Sequence, residues 1–102
     1  MGLGSESVSE QTAAVVSAFC DAVWLEDGLS RNTLDAYRRD LSMLAAWLDE
    51  HRGIALAEAS EADLLAYIAA RHAGSRPASG NRRLSVFRRF YRYLVREGRR
   101  GD

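Results

Sequence analysis

Apolar residues return every three or four positions in four separate stretches of this 102-residue chain, and no stretch shows the two-residue alternation of a strand. With Pro77 as the only proline, little else interrupts the pattern, and it restricts the chain to helices. The first predicted helix covers about 12–26. Val15, Val16, Phe19, Ala22 and Val23 lie on one face, and Gly28 is placed as its C-cap. Residues 1–10, rich in glycine and serine, read as a flexible tail. The second helix covers about 31–51, with Ser30 as N-cap and a hydrophobic staple between Leu29 and Leu34. Its core stripe is Leu34, Tyr37, Leu41, Leu44, Ala45 and Leu48. A loop bearing Ile54 and Leu56 leads to Ser60-Glu61-Ala62-Asp63, a capping box with Asp63 in place of the usual Glu or Gln. It opens a third helix, about 61–72, with Leu64, Leu65 and Ile68 inward and Gly74 as its stop. The fourth helix covers about 78–97, where Pro77 is tolerated in the first turn. Leu84, Phe87, Tyr91, Leu94 and Val95 form its inward stripe, and Gly98 ends it.

None of these helices holds its shape alone in water, so their stripes must meet in one core. A chain of 102 residues, 47% hydrophobic, suffices for one modest domain of the all-α class. No apolar run reaches the length of a membrane span, and the N-terminus lacks the basic flank and apolar core of a secretory signal. A cytoplasmic protein without membrane contact is expected. Cys20, being single, forms no internal disulfide and no cysteine zinc cluster. No general acid, base or metal set stands at a working spacing, so no catalytic residue, metal, cofactor or small-molecule ligand is expected. His51 and His72 each end a predicted helix, where a cation suits the dipole.

The net charge of zero conceals an opposition. Residues 1–75 carry 5 Arg against 12 acids, a balance of −7, and residues 76–102 carry 9 Arg against 2 acids, a balance of +7. On the fourth helix Arg82, Arg89 and Arg96 recur at intervals of seven, away from the core stripe. Ser85 and Arg92 flank them, Asn81 and Arg88 lie further round, and Glu97 is the only acid nearby in sequence. A solvating face normally mixes signs, and like charges one turn apart repel. The strip therefore points to a polyanion, and a helix fits the major groove of duplex DNA. The second helix repeats the theme more weakly. Asn32 and Arg39 lie opposite its stripe, Arg31 and Arg38 lie to one side, and Thr33 sits in the first turn, where N–H groups and the dipole favour phosphate. The competing reading is a helical protein-interaction domain whose basic helix meets an acidic partner.

Ser30-Arg31-Asn32-Thr33-Leu34-Asp35-Ala36-Tyr37-Arg38-Arg39-Asp40-Leu41 resembles the signature S-x-N-T-L-x-A-Y-R-R-D-L of the N-terminal, core-binding (SAM-like) domain of tyrosine site-specific recombinases. Asn81-Arg82-Arg83-Leu84-Ser85-Val86-Phe87-Arg88-Arg89-Phe90-Tyr91-Arg92-Tyr93-Leu94 resembles the fourth helix of that domain. The segment from Phe19 to Glu26 is similar to the first helix of the Xer branch. Gly80 departs from the pattern, standing where the family commonly has isoleucine.

The resemblance covers about residues 10–100 and implies a compact four-helix orthogonal bundle that grips one face of double-stranded DNA. Catalysis then belongs to a separate C-terminal domain, with residues 99–102 starting the linker, and sister recombinase subunits are further partners. Carried over by position, the DNA-binding residues are Asn32, Thr33, Arg38 and Arg39 on the second helix, and Ser79, Asn81, Arg82, Ser85, Arg89 and Arg92 on the fourth. Trp24 and the first helix are implied in subunit contacts. Tyr37 and Tyr91 read as core packing, whereas Tyr93, Val86, Met43 and Trp47 project from the stripes.

Overall fold

Where their ends are described, the helices start or stop for a chemical reason. A computed structural model describes the backbone of residues 3–71 and 77–101, with side chains over 10–71 and 80–101. It holds α1 (Leu3–Asp27), α2 (Arg31–Arg52), a 3-10 turn (Leu56–Glu58), α3 (Glu61–Arg71) and α4 (Pro77–Arg96). The described residues contain no strand.

The Ser30 hydroxyl accepts from the Thr33 N–H at 3.2 Å and starts α2. At α3 the capping box closes in both directions: Asp63 N–H donates to Ser60 Oγ at 3.2 Å, and Ser60 N–H donates to Asp63 Oδ2 at 2.9 Å. The shorter Asp does the work of the usual Glu. The Ser60 backbone N–H is the first cause that holds the Asp63 carboxyl below its ordinary value. α4 ends in a Schellman turn at Gly98, whose φ of 71° only glycine adopts cheaply. Arg99 N–H reaches back to Leu94 O at 2.9 Å, and Gly98 N–H to Val95 O at 3.1 Å.

α1 corrects the expected boundary. It begins at Leu3, not near residue 12, so residues 3–10 of the stretch read as a tail are helical. Between Ser5 and Asp27 there is neither glycine nor proline to interrupt the helix. The expected stop at Gly74 and the capping role of His72 lie outside the described residues.

The core is built around Phe19, Leu41, Leu44, Leu48, Leu56, Phe87, Phe90 and Leu94, all fully buried. Phe19 of α1 meets Phe90 edge-on at 5.3 Å and Tyr93 at 5.5 Å, so α4 is packed from the α1 side as well as from α2 and α3. Several expectations from a single inward stripe therefore change. Val86 and Phe90 are buried, and Tyr93 and Trp47 pack against the core, whereas Val95 is 41% exposed. On α3 Tyr67 is buried and Leu65 is 49% exposed, because Trp47 and Phe87 cover the face that Tyr67 occupies.

Candidate nucleic-acid interface

Among the described residues, the exposed side chains of α4 are Asn81, Arg82, Ser85, Arg88, Arg92, Val95 and Arg96. At about 100° per residue, the middle of that face falls on Ser85 and Arg92. The expected strip of Arg82, Arg89 and Arg96 is thus one edge of the face, the edge toward α1. Ser85 donates back to Asn81 O at 3.1 Å, leaving its hydroxyl oxygen free to accept. Ser79 belongs to α4, but its side chain lies outside the described residues.

Acids close to the strip in space but distant in sequence change its electrostatics. Arg89 is ion-paired with Asp27, and Arg96 donates to Glu26 Oε2 at 2.8 Å while also lying 3.4 Å from Glu97. The hydrogen bond to Glu26 raises the Arg96 pKa further. On the opposite edge Arg88 donates to Glu61 of α3 at 2.7 Å. Arg82 and Arg92 form no ion pair among the described residues. Four expected site residues, Asn81, Arg82, Ser85 and Arg92, therefore make one exposed ridge without a neutralising carboxylate. Arg89 differs from them in being neutralised by Asp27.

The role of Glu26 and Asp27 was missed in the sequence, although a signal was present. Both stand in the last turn of α1, where the helix dipole disfavours anions, and that turn holds no basic residue. Acids in so unfavourable a place have a partner elsewhere.

One ion pair ties α2 to α4, and a second ties the end of α1 to α4. Arg83 Nε lies 3.3 Å from Asp40 Oδ1, and Asp27, just before α2, pairs with Arg89. Asn32, Thr33 and Arg39 lie along α2, between Asp27 and Asp40 in the chain. Asn32 and Arg39 are exposed, and α2 has no acid in its first turn to offset the dipole. Thr33 is partly covered: its N–H serves Ser30, and its hydroxyl lies 3.0 Å from the Ser30 hydroxyl. Arg38 stands on the other flank of α2, donating to Ser17 Oγ of α1 at 2.8 Å. Arg38 is thus drawn toward α1, whereas Asn32 and Arg39 stay exposed on α2 and Thr33 is used mainly in the cap.

No tyrosine is presented as a nucleophile by the described residues. The Tyr91 hydroxyl donates to Leu56 O, and burial pushes its pKa up. Burial likewise raises Tyr67, and Tyr93 is wedged between Phe19 and the Arg96 guanidinium. Cys20 is buried, and desolvation raises its thiol. Trp24 and Leu25, 60% and 84% exposed, form the bare end of α1. Among the described residues no three His, Cys, Asp or Glu side chains gather as a metal set. Among the described residues no helix is long and apolar enough to cross a membrane.

Residues 16–98 match the phage integrase N-terminal SAM-like domain, and the chain belongs to that family. It is 55% identical over 82 residues to tyrosine recombinase XerD of Ralstonia nicotianae, covering 80% of this chain and 26% of the relative. It is 39% identical over 99 residues to tyrosine recombinase XerD of Proteus mirabilis, covering 96% of this chain and 31% of the relative. With tyrosine recombinase XerD of Yersinia pestis the identity is 41% over 96 residues, covering 93% and 32%. The chain therefore spans between a quarter and a third of the length of these relatives. No solved structure gives a significant match.

Proposed function

We propose that the chain is the core-binding half of a XerD-like tyrosine recombinase, gripping one face of a duplex half-site while a separate domain cuts and rejoins the strands. In that role it serves site-specific recombination and chromosome dimer resolution in the bacterial cytoplasm, beside sister recombinase subunits on the same DNA. The observation that carries this reading is the bare ridge of Asn81, Arg82, Ser85 and Arg92, with Asn32 and Arg39 on the neighbouring helix. Guanidinium groups hold phosphates and read guanine edges, and asparagine and serine donate to phosphate oxygens without adding charge. The Asp40–Arg83 ion pair, which ties α2 to α4, supports reading the groups of both helices as one surface.

Duplex binding by the chain and by Arg82→Ala and Arg92→Ala tests the reading. Each substitution is expected to weaken binding to every duplex and to reduce its salt dependence by about one phosphate's worth. Unchanged affinity in both variants contradicts the assignment of the ridge. An acidic protein that binds the ridge and is not displaced by duplex DNA favours the protein-interaction reading instead.

A further inference from the structure

Two of the three arginines on the α1 edge of α4, Arg89 and Arg96, are already bound to anions, and those anions belong to the chain. A cleft of about 310 Å³ opens between α1 and α4, lined by Phe19, Glu26, Arg89, Arg92, Tyr93 and Arg96 among others. Three guanidinium groups border it. Arg96 reaches Glu26 with both terminal nitrogens, at 2.8 and 3.4 Å, and Arg89 holds Asp27. Two parallel N–H donors on two carboxylate oxygens are also the geometry in which arginine holds a phosphate. Both pairs are open to water, with a third to a half of each side chain exposed. Such pairs are weak and readily exchanged. Their placement does not serve α1, because both acids stand at its negative end.

We infer that Glu26 and Asp27 are specificity-determining residues, internal stand-ins for phosphate that keep Arg89 and Arg96 from binding indiscriminate DNA. The inference rests on the proposed DNA-binding role. A phosphate placed at the cleft must displace a carboxylate, so only a duplex held in register by the ridge and by Asn32 and Arg39 gains these contacts. A duplex in passing meets Arg82, Arg92 and Arg39 alone. The two carboxylates therefore lower non-specific affinity more than they lower affinity for a docked half-site.

The test compares the chain with Glu26→Gln/Asp27→Asn, using fluorescence anisotropy on a random-sequence duplex across a salt series. The variant should bind about three- to tenfold more tightly at low salt, the release expected from two exposed pairs. Its plot of log affinity against log salt should be steeper by up to about two phosphates' worth. The control Asp49→Asn/Glu50→Gln removes the same charge from an exposed part of α2 that touches none of these arginines, and should leave affinity and slope nearly unchanged. Helicity and melting temperature of both variants are followed alongside. Equal or weaker binding by a folded Glu26→Gln/Asp27→Asn variant overturns the inference while leaving the DNA-binding role intact. An equal gain in the control overturns it too, reducing the effect to net charge. A variant that unfolds shows that the acids are structural and also overturns it. If the unsubstituted chain binds no duplex, the proposed function fails and the inference falls with it.

Discussion

Asp40 of α2 and Arg83 of α4 face each other across 3.3 Å with only 15% and 21% of their side chains exposed. This pair ties together the two helices that carry the proposed interface. A covered guanidinium that loses a carboxylate partner retains its desolvation penalty, so removing one member is worse than removing both. Asp40→Ala is expected to destabilise the fold by about 1–3 kcal/mol. Asp40→Ala/Arg83→Met, compared with Arg83→Met alone, should recover much of that loss. Urea unfolding of the four members of this cycle measures the coupling, and additive losses would show that the pair contributes nothing.

The capping box at α3 predicts a pH dependence. The Asp63 carboxyl titrates below its ordinary value of 3.8 in the folded chain, chiefly because the Ser60 N–H donates to it. The sign follows from linkage: a depressed folded pKa gives stability that is fully present above the unfolded value and is lost as pH falls through the folded one. Asp63→Asn should therefore be less stable than the unsubstituted chain by about 1 kcal/mol at neutral pH. The gap should stay constant down to about pH 4 and close below it. Urea midpoints of both proteins between neutral pH and about pH 2 check this. A gap that persists at the acid end assigns the loss to shape rather than to charge.

Packing on α4 distinguishes Phe90 from Val95. Phe90 is fully buried against Phe19 and Tyr91, and Phe90→Ala is expected to cost about 3–5 kcal/mol. Val95→Ala, at an exposed site, should change stability by less than about 0.5 kcal/mol. Thermal unfolding of the two variants tests the assignment, and equal losses would contradict it.

These residues also show what the sequence holds and what it hides. The caps at Ser30, Ser60 and Gly98 were legible because each is a local bargain between a few neighbouring residues, and the core stripe of α2 was legible because α2 buries one face. α4 was misread in part because it is covered from two directions. A rule of one stripe found Phe87 and Leu94 but placed Val95 inside and left Phe90 out. The candidate site was legible as a set of residue types and hidden as electrostatics. Glu26 and Asp27 are about 60–70 positions from the arginines they bind, and no local pattern joins them. Arg38 and Arg39 are adjacent in the chain and end on different flanks, and the Arg38–Ser17 contact that divides them is tertiary.

Arg39→Ala extends the interface to α2. Arg39 is exposed and makes no ion pair among the described residues, so its loss should leave the melting temperature nearly unchanged. Duplex affinity should fall to a degree comparable with Arg92→Ala. Unchanged affinity would confine the interface to α4. Arg89→Ala, by contrast, should lower stability slightly as well, because it releases Asp27.

The central claim is that a bare arginine ridge on α4, with Arg39 beside it, holds DNA phosphates. The most direct measurement is the duplex affinity of the unsubstituted chain between about 50 and about 200 mM salt. Three phosphates neutralised by Arg39, Arg82 and Arg92 predict a straight line of log affinity against log salt and a loss of roughly fortyfold across that range. An affinity that moves less than about twofold would mean that no phosphates are neutralised there, and would contradict the account.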